Sequence, residues 1–254
     1  MIALLSPAKT LDFETKYNFS EYTVPEFIKD SEYLVEELQK MSMQDLAKLM
    51  SLSASLSELN FERYQSWNSD FNTSNARQST LCFKGGVYIG LDVDSFSNED
   101  LSYSQDCLRI LSGLHGILKP LDLIKPYRLE MGTKLRNKNG QNLYDFWGDK
   151  ITTSLNNSLQ NNNAKYLVNL ASNEYFKSVL SKHVNADIID VKFLDQKYDQ
   201  YKIISFFAKK ARGSMAAFMI KNKIKTLDDL KEFSGLGYVF DQSRSGISSL
   251  VFIR

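Results

Sequence analysis

Ile188-Ile189-Asp190-Val191-Lys192-Phe193-Leu194, the polar link Asp195-Gln196-Lys197-Tyr198-Asp199-Gln200, and Tyr201-Lys202-Ile203-Ile204-Ser205-Phe206-Phe207 form the stretch on which the fold class turns. Its flanks are rich in β-branched and aromatic residues and its middle is polar. It therefore reads as two strands folded back on each other, an antiparallel pair. A helix follows from Ala208 to about Lys221, then a short one capped by Thr226. Tyr238-Val239-Phe240 and Leu250-Val251-Phe252-Ile253 close the chain as strands around a turn containing Ser and Gly. Upstream, Tyr166-Leu167-Val168-Asn169-Leu170 reads as a strand. Ile2-Ala3-Leu4-Leu5, a continuous apolar run, reads as a buried first strand.

Helical patterns fill the interval. One opens at Pro25 and turns Phe27, Ile28, Tyr33, Leu34, Val35 and Leu38 inward. A second is capped by Ser42 with Leu46, Leu49 and Met50 inward, and a third carries Leu56, Leu59, Phe61 and Tyr64. Asn98 caps a further helix through Leu101, Cys107, Leu108 and Leu111, and Leu143 to about Leu159 reads as one longer helix. No linker, repeat or low-complexity segment interrupts the chain beyond the Asn161–Asn163 run. The expectation is one compact α+β domain over residues 1–254, with a mixed sheet whose C-terminal part is antiparallel and helices flanking it.

At 254 residues and 43% hydrophobic content the chain can bury a core without metal or disulfide staples. A charged share of 24% is that of a globular protein rather than a disordered one. No apolar run approaches the roughly 20 residues of a membrane span, so no membrane partner is expected. Met1 to Leu5 lacks the basic leader and long apolar run of a signal peptide. Two cysteines, Cys82 and Cys107, read as reduced thiols. Together these point to the cytoplasm, and a monomer is the expected state.

The net charge of +1 hides a segregation. From Asp12 to Glu62 eleven acids face four bases; from Arg109 to Lys138 seven bases face two acids; from Lys202 to Lys225 seven bases face none. Should the two basic stretches converge, they would form a surface suited to phosphates.

Leu111-Ser112-Gly113-Leu114-His115-Gly116-Ile117 resembles the turn of a helix–hairpin–helix, in an element spanning about 99–125. Small residues there would let backbone amides approach DNA phosphates closely. Pro120 would fall in the first turn of the second helix and Pro126 would limit its length. Lys119, Lys125 and Arg128 would supply charge beside His115. The same pattern could equally be a plain helix corner whose Gly113 and Gly116 only permit packing. Other cationic candidates are Lys9 after the first strand, Lys84 beside Gly85-Gly86, and Lys209, Lys210 and Arg212 where a strand hands over to a helix. The polar run Asn169-Leu170-Ala171-Ser172-Asn173-Glu174-Tyr175 could line a cleft or cap a helix. His115 and His183 have no second metal ligand at a recognised spacing, Asp92-Val93-Asp94 fails as a calcium loop, and no CxxC or G-x-S-x-G motif occurs. No metal, cofactor or catalytic motif is therefore assigned. A carboxylate iron site built from distant residues stays open, as does an enzyme acting on a phosphorylated or nucleic-acid substrate.

SPAKTLDF (Ser6–Phe13), FKGGVYIGL (Phe83–Leu91), LSGLHGILKPLDLIKPYRLEMG (Leu111–Gly132), LYDFWGD (Leu143–Asp149), NLASNEYFK (Asn169–Lys177) and ISFFAKKARG (Ile204–Gly213) together resemble the YaaA family of bacterial peroxide-stress proteins, of UPF0246 type. The resemblance implies a cytosolic protein that limits unincorporated iron and hence iron-dependent oxidative damage to DNA. It also implies a compact α+β fold, a positively charged cleft, a helix–hairpin–helix and sequence-independent DNA binding. On this sequence the turn maps to Gly113, Leu114, His115 and Gly116, and the cleft to Lys9, Lys84, Arg128, Lys209, Lys210 and Arg212.

Overall fold

A computed structural model describes all residues, 1–254. Its main sheet has eight strands: β1 (Ile2–Leu5), β2 (Leu108–Ser112), β3 (Gly116–Leu118), β4 (Tyr166–Asn169), β5 (Asp187–Lys197), β6 (Gln200–Lys202), β7 (Val239–Phe240) and β8 (Ser249–Ile253). The order is β7-β8-β5-β4-β1-β2-β3, with β6 also on β5. Five strands from β8 to β2 run parallel; the pairs β7–β8, β5–β6 and β2–β3 are antiparallel. The mixed sheet thus carries its antiparallel pairs at the edges and the C-terminal part, around a parallel centre. Strand β1 is that centre: all four residues are buried, and Ala3 stands between Leu108 and Val168. Such a strand must be apolar on both faces, which is why its sequence reads as a continuous run.

The named helices are α1 (Ile28–Gln39), α2 (Met43–Met50), α3 (Ala54–Ser66), α4 (Gly86–Leu91), α5 (Asn98–Cys107), α6 (Lys150–Asn161) and α7 (Ser205–Lys221). Ser42 caps α2 through a reciprocal pair with Asp45, as its position before the apolar run predicts. Helix α3 is turned from its expected register. Leu56 and Leu59 are exposed, while Ser57, Asn60 and Tyr64 face inward. The polar inward residues bond locally: Ser57 donates to the Met43 carbonyl and Asn60 to the Leu56 carbonyl, so the face stays satisfied without apolar side chains. The long helix expected from Leu143 is two, Leu143–Trp147 and α6, parted at Gly148-Asp149. Helix α7 begins at Ser205, three residues early, because the β5–β6 hairpin ends at Lys202.

The largest departure lies at 108–118. The expected helix–hairpin–helix is a β-hairpin, β2 turning through Gly113-Leu114-His115 into β3 with Ser112 paired to Gly116. Leu108 to Ser112 is buried throughout, and strand β2 completes the ladder beside β1, a tertiary demand that overrides the local pattern. The helix pair before it, α4 and α5, carries Asp92, Asp94, Glu99 and Asp100 at its connection, a poor surface for phosphate.

One apolar core runs from Ile2 to Phe252. Its tightest crossing is α4 on α7. A Cβ at Gly213 would stand 1.7 Å from the Val87 carbonyl oxygen, and one at Gly90 would stand 1.9 Å from the Lys210 carbonyl oxygen. No side chain fits, so the two backbones touch directly. Replacing Gly213 by Ala is expected to cost about 3 kcal/mol, the upper range for overpacking. That corresponds to roughly 6–12 °C in Tm for a chain of this size. Gly246→Ala, with nothing within 4 Å of the added carbon, is the control expected to stay within about 0.5 kcal/mol in the same thermal melt.

Candidate functional site

Strand β1 is followed in the chain by β2 on one side of it, whereas β4 is followed by β5 on the other. Their connections leave in opposite directions, and a crevice opens beyond the carboxyl ends of β1 and β4. Open parallel sheets place ligands at such a point. The loop after β1 and the loop after β4 are tied there: Ser172 N–H donates to Ser6 Oγ at 2.9 Å, Ser6 Oγ–H donates to Ser172 Oγ at 3.3 Å, and Leu170 N–H donates to the Leu4 carbonyl at 3.0 Å.

The crevice is a cavity of about 480 Å³. Four separate segments supply cations to it: Lys9 from the loop after β1, Lys84 before α4, Arg128 from the segment following β3, and Lys209 with Arg212 from α7. Five of the expected phosphate contacts, up to two hundred positions apart in the chain, therefore share one hollow. Two carboxylates, Glu130 and Glu174, stand among them. Glu130 holds two of the cations, with Lys9 Nζ at 3.0 Å and Arg128 NH2 at 3.1 Å. Lys84 lies 3.5 Å from Asp12, whose carboxyl is held well below the usual range chiefly by hydrogen bonds from Thr15. Lys209 and Arg212 have no carboxylate within 4 Å. Burial pushes the Arg212 guanidinium below its ordinary value, yet a guanidinium stays charged. Its charge faces a cavity with no internal partner.

Tyrosines frame the hollow. Tyr88 O–H donates to the Ser6 carbonyl at 3.1 Å, Tyr127 O–H pairs with Ser112 Oγ at 2.7 Å, and burial pushes both phenols, with Tyr175, above their ordinary range. They remain neutral. Lys209 and Arg212 sit a turn or more inside α7, not at its first residue, so the helix dipole does not oppose them as a strand-to-helix junction would have implied.

The remaining expected contacts lie elsewhere. Gly113, His115 and Gly116 are buried in the β2–β3 hairpin and present nothing to a ligand. A Cβ at Gly113 would meet the Leu129 carbonyl oxygen at 2.2 Å, and Gly116 faces the Trp147 ring, so these glycines serve packing. Lys119 lines a separate hollow with buried Arg109 and Asp122; Lys125 lines a third; Lys210, half-buried on α7, is outside the main cavity. Ser172, Glu174 and Tyr175, from the polar run expected either to line a cleft or to cap a helix, line the cavity, whereas Ser6 and Glu130 were not expected there and sat inside the quoted strings SPAKTLDF and YRLEMG.

His115 packs between Phe71 and Tyr127, with Nδ1 2.9 Å from Ser31 Oγ. Burial lowers its pKa to about 3, so the folded chain holds it neutral while the unfolded chain protonates near 6.5. Protons therefore bind the unfolded state preferentially, and stability falls as pH drops below about 6.5. In His115→Asn, denaturant unfolding is expected to lose its slope between about pH 6.5 and pH 5, above the carboxylate range. Burial likewise pushes the Cys82 and Cys107 thiols up to about 12. A thiol so protonated is a poor nucleophile. Mass spectrometry after hydrogen peroxide or a thiol reagent is expected to find both unmodified in the native chain and modified after unfolding.

A UPF0246 protein of Aliivibrio fischeri (strain ATCC 700601 / ES114) is 52% identical over 254 residues, covering 100% of this chain and 98% of the relative. UPF0246 proteins of Shewanella woodyi and Saccharophagus degradans are each 51% identical over 254 residues, covering 100% of this chain and 99% of the relative. The family profile described as "Peroxide stress protein YaaA" matches residues 1–244. The chain therefore belongs to the YaaA family of peroxide stress proteins.

Proposed function

We propose that the protein acts in peroxide stress by holding DNA phosphates in the cavity beyond β1 and β4, without reading base sequence. The observation that carries this reading is the meeting of Lys9, Lys84, Arg128, Lys209 and Arg212 in one hollow. The two cations without carboxylate partners, Lys209 and Arg212, are the ones an incoming phosphate would satisfy. No Asn or Gln lines the cavity, so the amide pairings that distinguish adenine are missing. About 480 Å³ is the size of a small-ligand pocket, so the unit inside is a phosphate with its nucleoside, with flanking strand at the mouth.

Such binding offers a route to limiting iron-dependent damage. Each ammonium or guanidinium that neutralises a phosphate releases condensed counterions. Iron(II) held on the strand would be released with them, and less hydroxyl radical would form against the sugar.

A second reading keeps the same cavity as an enzyme site for a phosphorylated substrate. It is favoured by Glu130, Glu174 and the Ser6 hydroxyl standing among cations at a strand-end crevice. Glu174→Gln separates the two. Under the binding reading it protects DNA as well as the native chain; under the enzyme reading it binds but does not protect.

Replacing Lys9, Lys84 and Lys209 together by Gln should weaken binding to all sequences alike. The slope of log affinity on log salt should fall in magnitude by at least about 1, the share of the unpaired Lys209, at near one unit per lost phosphate contact. Strand breaks in supercoiled plasmid exposed to Fe(II) and peroxide should be suppressed by the native chain and not by the triple variant. An unchanged slope would remove the cavity from the contact surface.

A further inference from the structure

The segment that carries Arg128 into the main cavity begins at the third hollow, the one lined by Lys125. That hollow, of about 210 Å³, is also lined by Arg63, Ser66, Trp67, Asn68 and Asn75. It shares no lining residue with the main cavity. No acid lines it, and every polar side chain there can donate.

Two features mark it as built for a ligand. Trp67 is 6% exposed, and its indole Nε1–H is buried with no hydrogen-bond partner. Lys125 is also 6% exposed. Its ammonium donates to Asn68 Oδ1 at 2.6 Å and lies 5.2 Å from the Phe71 ring centroid, with no carboxylate within 4 Å. Buried charges are ordinarily paired, and a buried donor without an acceptor is destabilising. Arg63 adds a second cation, bonded only weakly to Asn60 Oδ1 at 3.4 Å. Burial pushes Arg63 and Lys125 below their ordinary values, and the charge on Asp70 only partly offsets this for Lys125. The nearby end of α3 does not supply the missing acceptors. Its Glu62 and Arg63 carbonyls accept from Ser66 Oγ, and its Tyr64 carbonyl accepts from Trp67 N–H and Gln39 Nε2.

We propose that this hollow binds one phosphate group, whose oxygens accept from the Trp67 indole N–H, the Lys125 ammonium and the Arg63 guanidinium. A tetrahedral oxyanion suits a hollow lined by several donors and two positive charges, and it would give the orphaned indole an acceptor. Lys125 and Arg128 are three residues apart, so their Cα atoms are separated by at most about 11 Å. The phosphate is either free inorganic phosphate or a phosphodiester of a strand that also reaches the main cavity.

The chain has two tryptophans, and the other one provides the control. Trp147 is fully buried and its indole N–H donates to the Gly113 carbonyl at 3.0 Å. In a ¹H–¹⁵N spectrum of the full chain, Trp67→Phe identifies the Trp67 indole signal by its loss. Inorganic phosphate and a short thymidine oligonucleotide are titrated separately, at ionic strength held constant with chloride. The expected result is a saturable downfield shift of the Trp67 indole with Trp147 fixed. A shift with inorganic phosphate shows that the group alone is recognised; a shift with the oligonucleotide only assigns the site to phosphodiester. Lys125→Met and Arg63→Gln should each weaken binding at least tenfold, and the Trp147 signal reports that each variant is folded. The inference fails if neither ligand moves Trp67 beyond the chloride control, or if both variants shift like the native chain. The Lys9, Lys84, Lys209 variant should keep the inorganic-phosphate shift, so failure of the main-cavity reading is seen separately.

Discussion

Backbone contact between α4 and α7 is the constraint on which the site depends. Gly90 and Gly213 let the two helices meet with no side chain between them, and Lys209 and Lys210 flank that contact along α7. Any widening there would carry Lys209 and Arg212 away from the loops after β1 and β4. Helix α7 also packs on β5 and β1, so its position is fixed against the sheet as well as against its neighbour. A close-packed interior does not yield by small amounts. The cavity's charge is thus placed by a steric rule, and electrostatics alone would have driven these cations apart.

Like charges converge only where something offsets their repulsion. Here the offset is uneven. Glu130 links Lys9 to Arg128 and Asp12 stands by Lys84, while α7 contributes its two cations unpaired. One side of the cavity is therefore internally neutralised and preorganised, and the other is left to be neutralised from outside. Under the proposed phosphate binding this asymmetry would give an incoming anion a preferred side, with Glu130 positioning two cations rather than competing for the ligand.

How much of this was legible in the sequence depends on the length scale. Strand β1, strand β5, the Ser42 cap and the C-terminal strands followed from local pattern, since burial on both faces, alternation and capping each leave a mark within a few residues; the partner strand expected over Tyr201–Phe207 is only Gln200–Lys202, because Ser205–Phe207 open helix α7. The cationic residues of the cavity were legible as types, and their grouping came from quoted strings whose spacing carried no geometry. The β2–β3 hairpin was not legible. Glycines at Gly113 and Gly116 suit a helix corner and a strand turn equally, and the choice was made by β1 some hundred residues away. The α3 register failed for a related reason: Leu56 and Leu59 form a plausible inward pair, yet Tyr64 with Asn60 and Ser57 faces inward instead. Glu130 escaped notice because a search for phosphate contacts looks for positive charge, and it enters only through the cations it holds in place, whereas Glu174 was visible as part of the polar run after Asn169.

A protein of peroxide stress invites the idea that it consumes the oxidant through a thiol, and the two thiols here argue otherwise. Cys82 and Cys107 are buried in the apolar core, and burial keeps both thiols protonated. The groups that do face solvent-accessible hollows are ammonium, guanidinium, hydroxyl and carboxylate. These are groups that bind anions and move protons. Neither thiol therefore supports a thiolate-based reduction of peroxide, and the proposal of phosphate binding rests instead on the unpaired cations of the cavity.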